Sequence, residues 1–473
     1  MALELSGDEF RDLVDEAVKQ ISAHIDSLPD QPAWNSDNAA ALARSVNEPL
    51  PERGQRASAI LDDLFHRLLP VTYNTSSPGY LAFVPGGGIP HAAVADLIAG
   101  AINRFVGVWN AAPAFAEMES TVVRWFCDIV GYSQHAGGFL TTGGSLANWS
   151  ALVTARRCRL PDDFLSAMIY ASNQAHHSVV RAAALAGFPA ANVRLVETDE
   201  QFRVRVDKLA EQVQADRRAG LRPFAIVGNA GTVHTGAVDD LDALADLAER
   251  EDLWLHVDAA YGGFFMLTQR GRQLMRGIHR ADSMTLDPHK GLFLPYGTGC
   301  LLARELENLR RAHTIRADYL PPLQDDAEFV DFCAISPELS RDFRGLRIWL
   351  PFKMEGAASF RANLEEKLEL AKWAADQLQA LSEQIDDEIE IVAPPQLSIV
   401  AFRLRRAGLD NAALNLLNQE LRDRINSTRR VFLTPTMLHG RYVIRICVLC
   451  FRTHLDRMRE CMNEIRRALT EIA

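Results

Sequence analysis

The chain has 473 residues, 48% of them hydrophobic, which is enough for one large core and a smaller second one. A formal net charge of −11 disfavours nucleic acid and anionic membranes as partners, and the basic pairs Arg156-Arg157, Arg217-Arg218 and Arg429-Arg430 are short and scattered like solvated faces. Seven widely spaced cysteines argue against a disulfide framework, the acidic and apolar stretch Met1 to Lys19 is unlike a signal peptide, and no apolar run is long enough to span a bilayer, so a cytoplasmic protein is expected.

Up to about Pro85 the pattern is helical with Pro-rich connections: Asp8 to Leu28 stops at Pro29, and Arg56 to Leu69 stops at Pro70. Between residues 86 and 360 helices alternate with short apolar strands. Phe115 to Val130, Ser145 to Cys158, Ser178 to Ala186 and Asp239 to Arg250 read as helices. Ala167 to Tyr170, Phe224 to Val227, Leu253 to Val257, Ser283 to Leu286 and Cys300 to Ala303 read as strands. Such alternation predicts an α/β domain with a mainly parallel sheet, whose ligands bind beyond the carboxyl ends of the strands. A long helix, Arg341 to Leu381, leads into a small α+β domain over 361–473. It comprises strands Leu397 to Leu404, Val431 to Thr434 and Tyr442 to Phe451, the helix Asn411 to Asn426, and a terminal helix. The CxxC of Cys447 and Cys450 falls in the last of these strands with no second pair to complete a zinc site, so both read as core thiols.

Four short segments carry chemistry. In Asp287-Pro288-His289-Lys290-Gly291, Lys290 follows a strand; it is either an exposed loop lysine or a buried amine that must pair, lose its proton or form a Schiff base. Asp258 ends the strand Leu253 to Val257; it either caps a turn or meets a cationic partner such as the pyridine nitrogen of pyridoxal 5′-phosphate (PLP), with the small Ala260 leaving room for a flat ring. Thr141-Thr142-Gly143-Gly144-Ser145 feeds a helix; it offers amides to a phosphate, or Ser145 simply caps the helix. In Asn173-Gln174-Ala175-His176-His177-Ser178, His176 can stack on a planar cofactor, and no ligand-spaced Cys, Asp or Glu accompanies it to favour a metal. Each segment is equivocal alone; together they form an ordered set.

These segments, with Pro78 to Pro85 and Phe343 to Trp349, resemble the pyridoxal-dependent decarboxylases of the aromatic-amino-acid and glutamate decarboxylase group. The resemblance implies a fold-type-I large domain, PLP as cofactor, and a homodimer with sites at the interface. The implied activity is decarboxylation of an L-amino acid to its amine. It implies Lys290 as the Schiff-base lysine, Asp258 as the pyridine-nitrogen partner, His176 and Ala260 on the two ring faces, and Gly144, Ser145, Thr232 and His289 as further cofactor contacts. Asp287 stands where relatives often have Asn, and an anionic side chain there disfavours direct contact with a phosphate. The substrate side chain is expected near Thr75, Phe83, Val84, Pro85, Phe105 and Gly107, an apolar set that disfavours glutamate and favours an aromatic or large aliphatic amino acid. Arg452 is expected to contact substrate or phosphate.

Counting back without gaps from Arg341-Asp342-Phe343-Arg344, the position of the family's proton-donating loop tyrosine is Phe332, counted here with the catalytic set. Phenylalanine there is associated in the family with aldehyde synthases, in which the carbanion meets O₂. Aldehyde formation is therefore the alternative activity, with Tyr319 as another candidate donor. Another fold-type-I lyase or an aminotransferase is a further alternative. A non-catalytic binding scaffold would need neither Lys290 nor Asp258.

Overall fold

The structure is a computed structural model and describes residues 3–314, 323–324, 326 and 328–472. Its centre is a seven-stranded sheet made of β1 (Gly137–Thr141), β2 (Ala167–Ser172), β3 (Val193–Val196), β4 (Arg222–Asn229), β5 (Trp254–Asp258), β6 (Ser283–Leu286) and β7 (Gly299–Ala303), in the order β1-β7-β6-β5-β4-β2-β3. The run from β3 to β6 is parallel, while β7 is antiparallel to both β6 and β1. β1, β2, β4, β5 and β6 therefore end on one edge of the sheet, and their continuations deliver the site. The near-continuous apolar strands are what burial on both faces requires: Ile226, Leu255, Val257, Met284 and Leu302 join Phe126, Phe264 and Leu364 in one core. Each such side chain contributes about 1.5–3 kcal/mol by leaving water.

Two strands of this sheet escape the periodicity of the sequence. β1 begins with Gly137-Gly138, and a Cβ on Gly138 would lie 2.0 Å from the Leu301 carbonyl oxygen, so close strand contact rather than side-chain pattern selects glycine there. β3 is a four-residue edge strand, too short to show an alternation.

The second sheet comprises β8 (Glu388–Ile391), β9 (Ile399–Arg405), β10 (Thr434–Leu438) and β11 (Arg441–Cys447), antiparallel in the order β10-β11-β9-β8. It packs Val400, Phe402, Ile444 and Ile446 against Leu421, Met458 and Ile465 of the helices Asn411–Asn426 and Leu455–Ile472. The strand expected at Val431 to Thr434 begins only where that segment ends. Asn426 takes both backbone groups of Leu433 (Nδ2 to its carbonyl at 2.9 Å, Oδ1 from its amide at 2.8 Å), and Phe432 pairs with Gly79 and Leu81. The expected long helix is Gly345–Ser382, two helical pieces merged across a kink at Gly356, φ 71°. Ahead of the large sheet lie Gly7–Ser27, Ala39–Ser45 and Ala57–Asp63, with no buried residue in any of them. All seven cysteines are unpaired as thiols, and among the described residues no helix is long and apolar enough to cross a membrane.

Candidate active site

The strand ends open into a cavity of about 430 Å³, within the size range of cofactor pockets. Phe83, Val84, Gly144, Ser145, His176, Thr232, Asp258, Ala260, His289 and Lys290 all line it, together with Asn148, Ser178, Asp287 and Tyr296. The sequence's four chemical segments thus meet in one place.

At one end is the turn after β1. The helix Gly144–Arg159 starts on Gly143 with no side-chain cap, so Ser145 does not cap it and the first amides are left for a ligand. Gly144 is required by space: a Cβ there would lie 2.9 Å from Asp287 Oδ2 and 3.2 Å from the Ala260 Cβ. His289 closes this end. Its Nδ1 is 2.6 Å from the Thr298 carbonyl, which can only accept, so Nδ1 carries a proton and donates there.

At the other end Asp258 finishes β5, buried, with Oδ1 accepting the Ala260 amide at 3.2 Å and Oδ2 accepting Asn148 Nδ2 at 2.9 Å. Behind it runs a directed chain of hydrogen bonds. Trp254 Nε1 donates to Ser283 Oγ, which donates to His256 Nδ1. His256 Nε2 then donates to Asn148 Oδ1, which also accepts Thr285 Oγ1. Asn148 Nδ2 serves both Asp258 and Ser178 Oγ, and Ser178 donates to His176 Nδ1 at 2.7 Å. Burial lowers the pKa of both histidines, with Asp258 opposing, so both are neutral at pH 7. Nδ1 of His176 also accepts the Ser178 amide, which leaves the proton on Nε2. Asn148 therefore locks the aspartate and the histidine to each other. Replacing it with alanine is expected to lower the melting temperature, because Thr285 and His256 lose a buried acceptor at about 1–3 kcal/mol. It should also raise the cofactor dissociation constant; a variant with unchanged melting and unchanged cofactor affinity would remove Asn148 from this role.

Lys290 lies one turn into the short helix Pro288–Gly291 after β6, its Nζ 2.9 Å from Asp287 Oδ2. Burial opposes its charge, but Asp287 and Asp258 outweigh it and hold the amine above its ordinary pKa. Lys19, Lys208, Lys353, Lys367 and Lys372 are the other lysines, and none of them lines the cavity. The group these residues fit is PLP. An uncapped helix start and His289 suit its phosphate, a held carboxylate suits its pyridine nitrogen, and a lysine between them suits its aldehyde; Asp287 Oδ1 is buried without a partner beside them.

A family model described as "Pyridoxal-dependent decarboxylase conserved domain" matches residues 40–405. The chain belongs to this family. It is a PLP-dependent decarboxylase. It is 36% identical to an aromatic-L-amino-acid decarboxylase of Bacillus atrophaeus, over 100% of this chain and 98% of that protein. Among solved structures it is similar to Oryza sativa TDC with PLP and tryptamine (TM-score 0.94, 27% identity, all of both chains). A second similar structure is Catharanthus roseus tryptophan decarboxylase in complex with L-tryptophan (TM-score 0.91, 26% identity, 99% of this chain and 100% of that one).

Several expected site residues are not brought to the enzyme's own cavity. Phe332 begins a single-turn helix, Phe332–Ile335, and its buried ring packs with Phe139 and Leu301 under the Arg341 guanidinium, 4.6 Å away. Phe105 is turned outward because Asn103 ends the preceding helix in a left-handed conformation, φ 44°; it lines a separate cleft with Asp96, Arg104 and Arg347. Gly107 lies beside Phe105, and its carbonyl accepts the Cys333 amide. Arg452 donates to the Gly87 carbonyl at 2.8 Å and lies over Phe451: β11 stops at Cys447, and the chain turns before Arg452 can reach the cavity. Pro85 and Thr75 are outside the lining, although Thr75 hydrogen-bonds Tyr296 at the mouth. Tyr319 lies outside the described residues.

The sequence reading gave no role to Asn148, Ser178, Thr285 or Tyr296. Asn148 carried one usable signal: it is four residues after Gly144, on the same face of that helix.

Proposed function

We propose that this enzyme removes the α-carboxylate of an aromatic L-amino acid, releasing CO₂ and the amine. The convergence of Lys290, Asp258 and His176 on one cavity carries the reading. Two features support an aromatic substrate. Phe83, held at the mouth with φ 54°, and Val84 offer an apolar wall, and among the described residues no arginine lines the cavity to pair an acidic side chain. The similar plant structures hold tryptamine and L-tryptophan.

When bound, PLP supplies an electron sink for the substrate α-carbon. Lys290 Nζ would hold the group through its aldehyde carbon. Asp258, fixed by Asn148 and Ala260, would keep a proton on the pyridine nitrogen. Neutral His176 would add no competing charge beside the ring. The amides of Gly144 and Ser145 would anchor the phosphate, with His289 and Thr232 alongside, and Phe83 and Val84 would exclude water from the substrate end.

The reading includes two copies of the chain sharing their sites, in the cytoplasm. Phe105, 37% exposed, and the apolar stripe Phe10, Leu13, Val18 and Ile21 on the first helix are exposed on the single chain and suited to a second copy. The unpaired thiols fit a reducing compartment.

The test is product identification: holoenzyme with a panel of amino acids in air, analysed by mass spectrometry. An aromatic amino acid converted to amine with CO₂ supports the proposal; release of no CO₂ from any of them overturns it. A second reading, oxidative conversion to the aldehyde, rests on the sequence position of Phe332 alone, because its ring packs with Phe139 and Leu301 rather than in this cavity. In that reading Phe332→Tyr raises the amine share about 10-fold or more; in the first, the product ratio is unchanged.

A further inference from the structure

Asp287 is a carboxylate placed where it is least expected. It lies against Gly144 at the phosphate end of the cavity, its side chain is 3% exposed, Oδ2 is 2.9 Å from Lys290 Nζ, and Oδ1 has no hydrogen-bond partner among the described residues. Such a group conflicts with two requirements of cofactor binding. A phosphate beside Gly144 is repelled by an anion, and an aldehyde is attacked only by an amine with a free lone pair, not by the ammonium that the anion stabilises.

We propose that Asp287 restrains cofactor attachment: paired with Lys290 beside Gly144, it keeps the amine as a tethered ammonium and keeps negative charge at the phosphate end until Nζ gives up its proton. This rests on the reading of the chain as a PLP enzyme. For attachment, one Nζ–H bond must break, its proton going to solvent water. The freed lone pair then bonds to the aldehyde carbon, and the aldehyde oxygen leaves as water with the two remaining Nζ protons. Before entry, the same carboxylate keeps Lys290 tethered and charged. Asp287 is thus a positioning residue that acts through Lys290.

Among the described residues no other carboxylate is placed to hold the ammonium in this way. Asp258 reaches Lys290 from β5 only through its longer-range field, and its two oxygens are engaged by Asn148 and Ala260. His289 Nε2 is 3.7 Å from Asp287 Oδ2 rather than at Nζ. His176, Tyr296, Cys447 on β11 and Cys300 on β7 also face the pair at longer range; burial raises both thiols, so they remain protonated and uncharged.

The experiment follows covalent attachment rather than turnover. Full-length protein stripped of cofactor is mixed with PLP across a pH series, and borohydride-trapped cofactor on the Lys290 peptide is counted by mass spectrometry against time. In the wild type, attachment should accelerate as pH rises through the elevated lysine midpoint. In Asp287→Asn the ammonium loses its counter-charge, so the midpoint should fall by about one pH unit or more. Inorganic phosphate should bind that cofactor-free variant about 10-fold tighter. Asp287→Glu, which keeps the charge, should keep the wild-type profile. Superimposable profiles for wild type and Asp287→Asn, with equal phosphate affinity, would overturn the inference. Wild-type protein that never attaches PLP at Lys290 would instead overturn the cofactor reading itself. If Asp287→Asn does not fold, acetylation of Lys290 in the cofactor-free wild type reports its midpoint directly, and a value at or below the ordinary lysine range of about 10.4 contradicts the ion pair's role.

Discussion

Lys290→Ala is expected to lower decarboxylation about 10³-fold or more and to abolish covalent attachment of the cofactor. The size follows from what is lost: the amine that binds the aldehyde and the group that carries protons at the reacting carbon, the second alone contributing roughly 10²–10⁴-fold. No other lysine can substitute. Lys367 has a fully buried side chain, but its Nζ donates to the Thr453 carbonyl at 2.6 Å and pairs with Glu366, tying the segment ahead of the helix Leu455–Ile472 to the helix Gly345–Ser382. Lys290→Arg separates chemistry from structure, because it keeps a cation beside Asp287 and yet cannot form the linkage. Equal loss in both variants, with melting temperatures near wild type, assigns the effect to the reacting amine. Turnover within about tenfold of wild type in either would contradict it.

Asp258→Asn is the second large effect, with an expected fall in kcat/KM of roughly 10²–10³-fold, comparable to removing one preorganised electrostatic contact from an active site. The substitution keeps the shape and an oxygen that can accept from Asn148 Nδ2 or the Ala260 amide, so folding should be preserved. What disappears is the negative charge that holds a proton on the pyridine nitrogen. The spectroscopic companion is a changed pH titration of the bound cofactor's absorbance, which a merely structural role would leave alone. Unaltered kcat/KM together with an unaltered titration would remove Asp258 from the mechanism.

The large domain was legible because each parallel strand is a short apolar run closed by its chemical residue. Ser283–Leu286 was placed at its observed bounds, and Lys290 after it; Trp254–Asp258 was found one residue displaced, with Asp258 at its end. Strands whose residues are chosen by close backbone approach were not legible, as Gly137–Thr141 shows. The same division holds in the site. His176, Asp258 and Lys290 announce themselves by residue type and place along the chain. Asn148 does not, because its partners Ser178, His256, Asp258 and Thr285 are 30, 108, 110 and 137 residues away and are assembled only by the sheet. Phe105 and Arg452 were placed by matching sequence alone; within the single chain a left-handed Asn103 turns one outward, and after an early strand end the other donates to Gly87.

The most direct test is the site of cofactor attachment. Wild-type protein is incubated with PLP, reduced with borohydride, digested and mapped by mass spectrometry. The expected result is one cofactor per chain, on the peptide that contains Lys290. Label on any other lysine, or no label from a protein that still releases CO₂ from its amino acid, would contradict the placement of the reaction at this cavity.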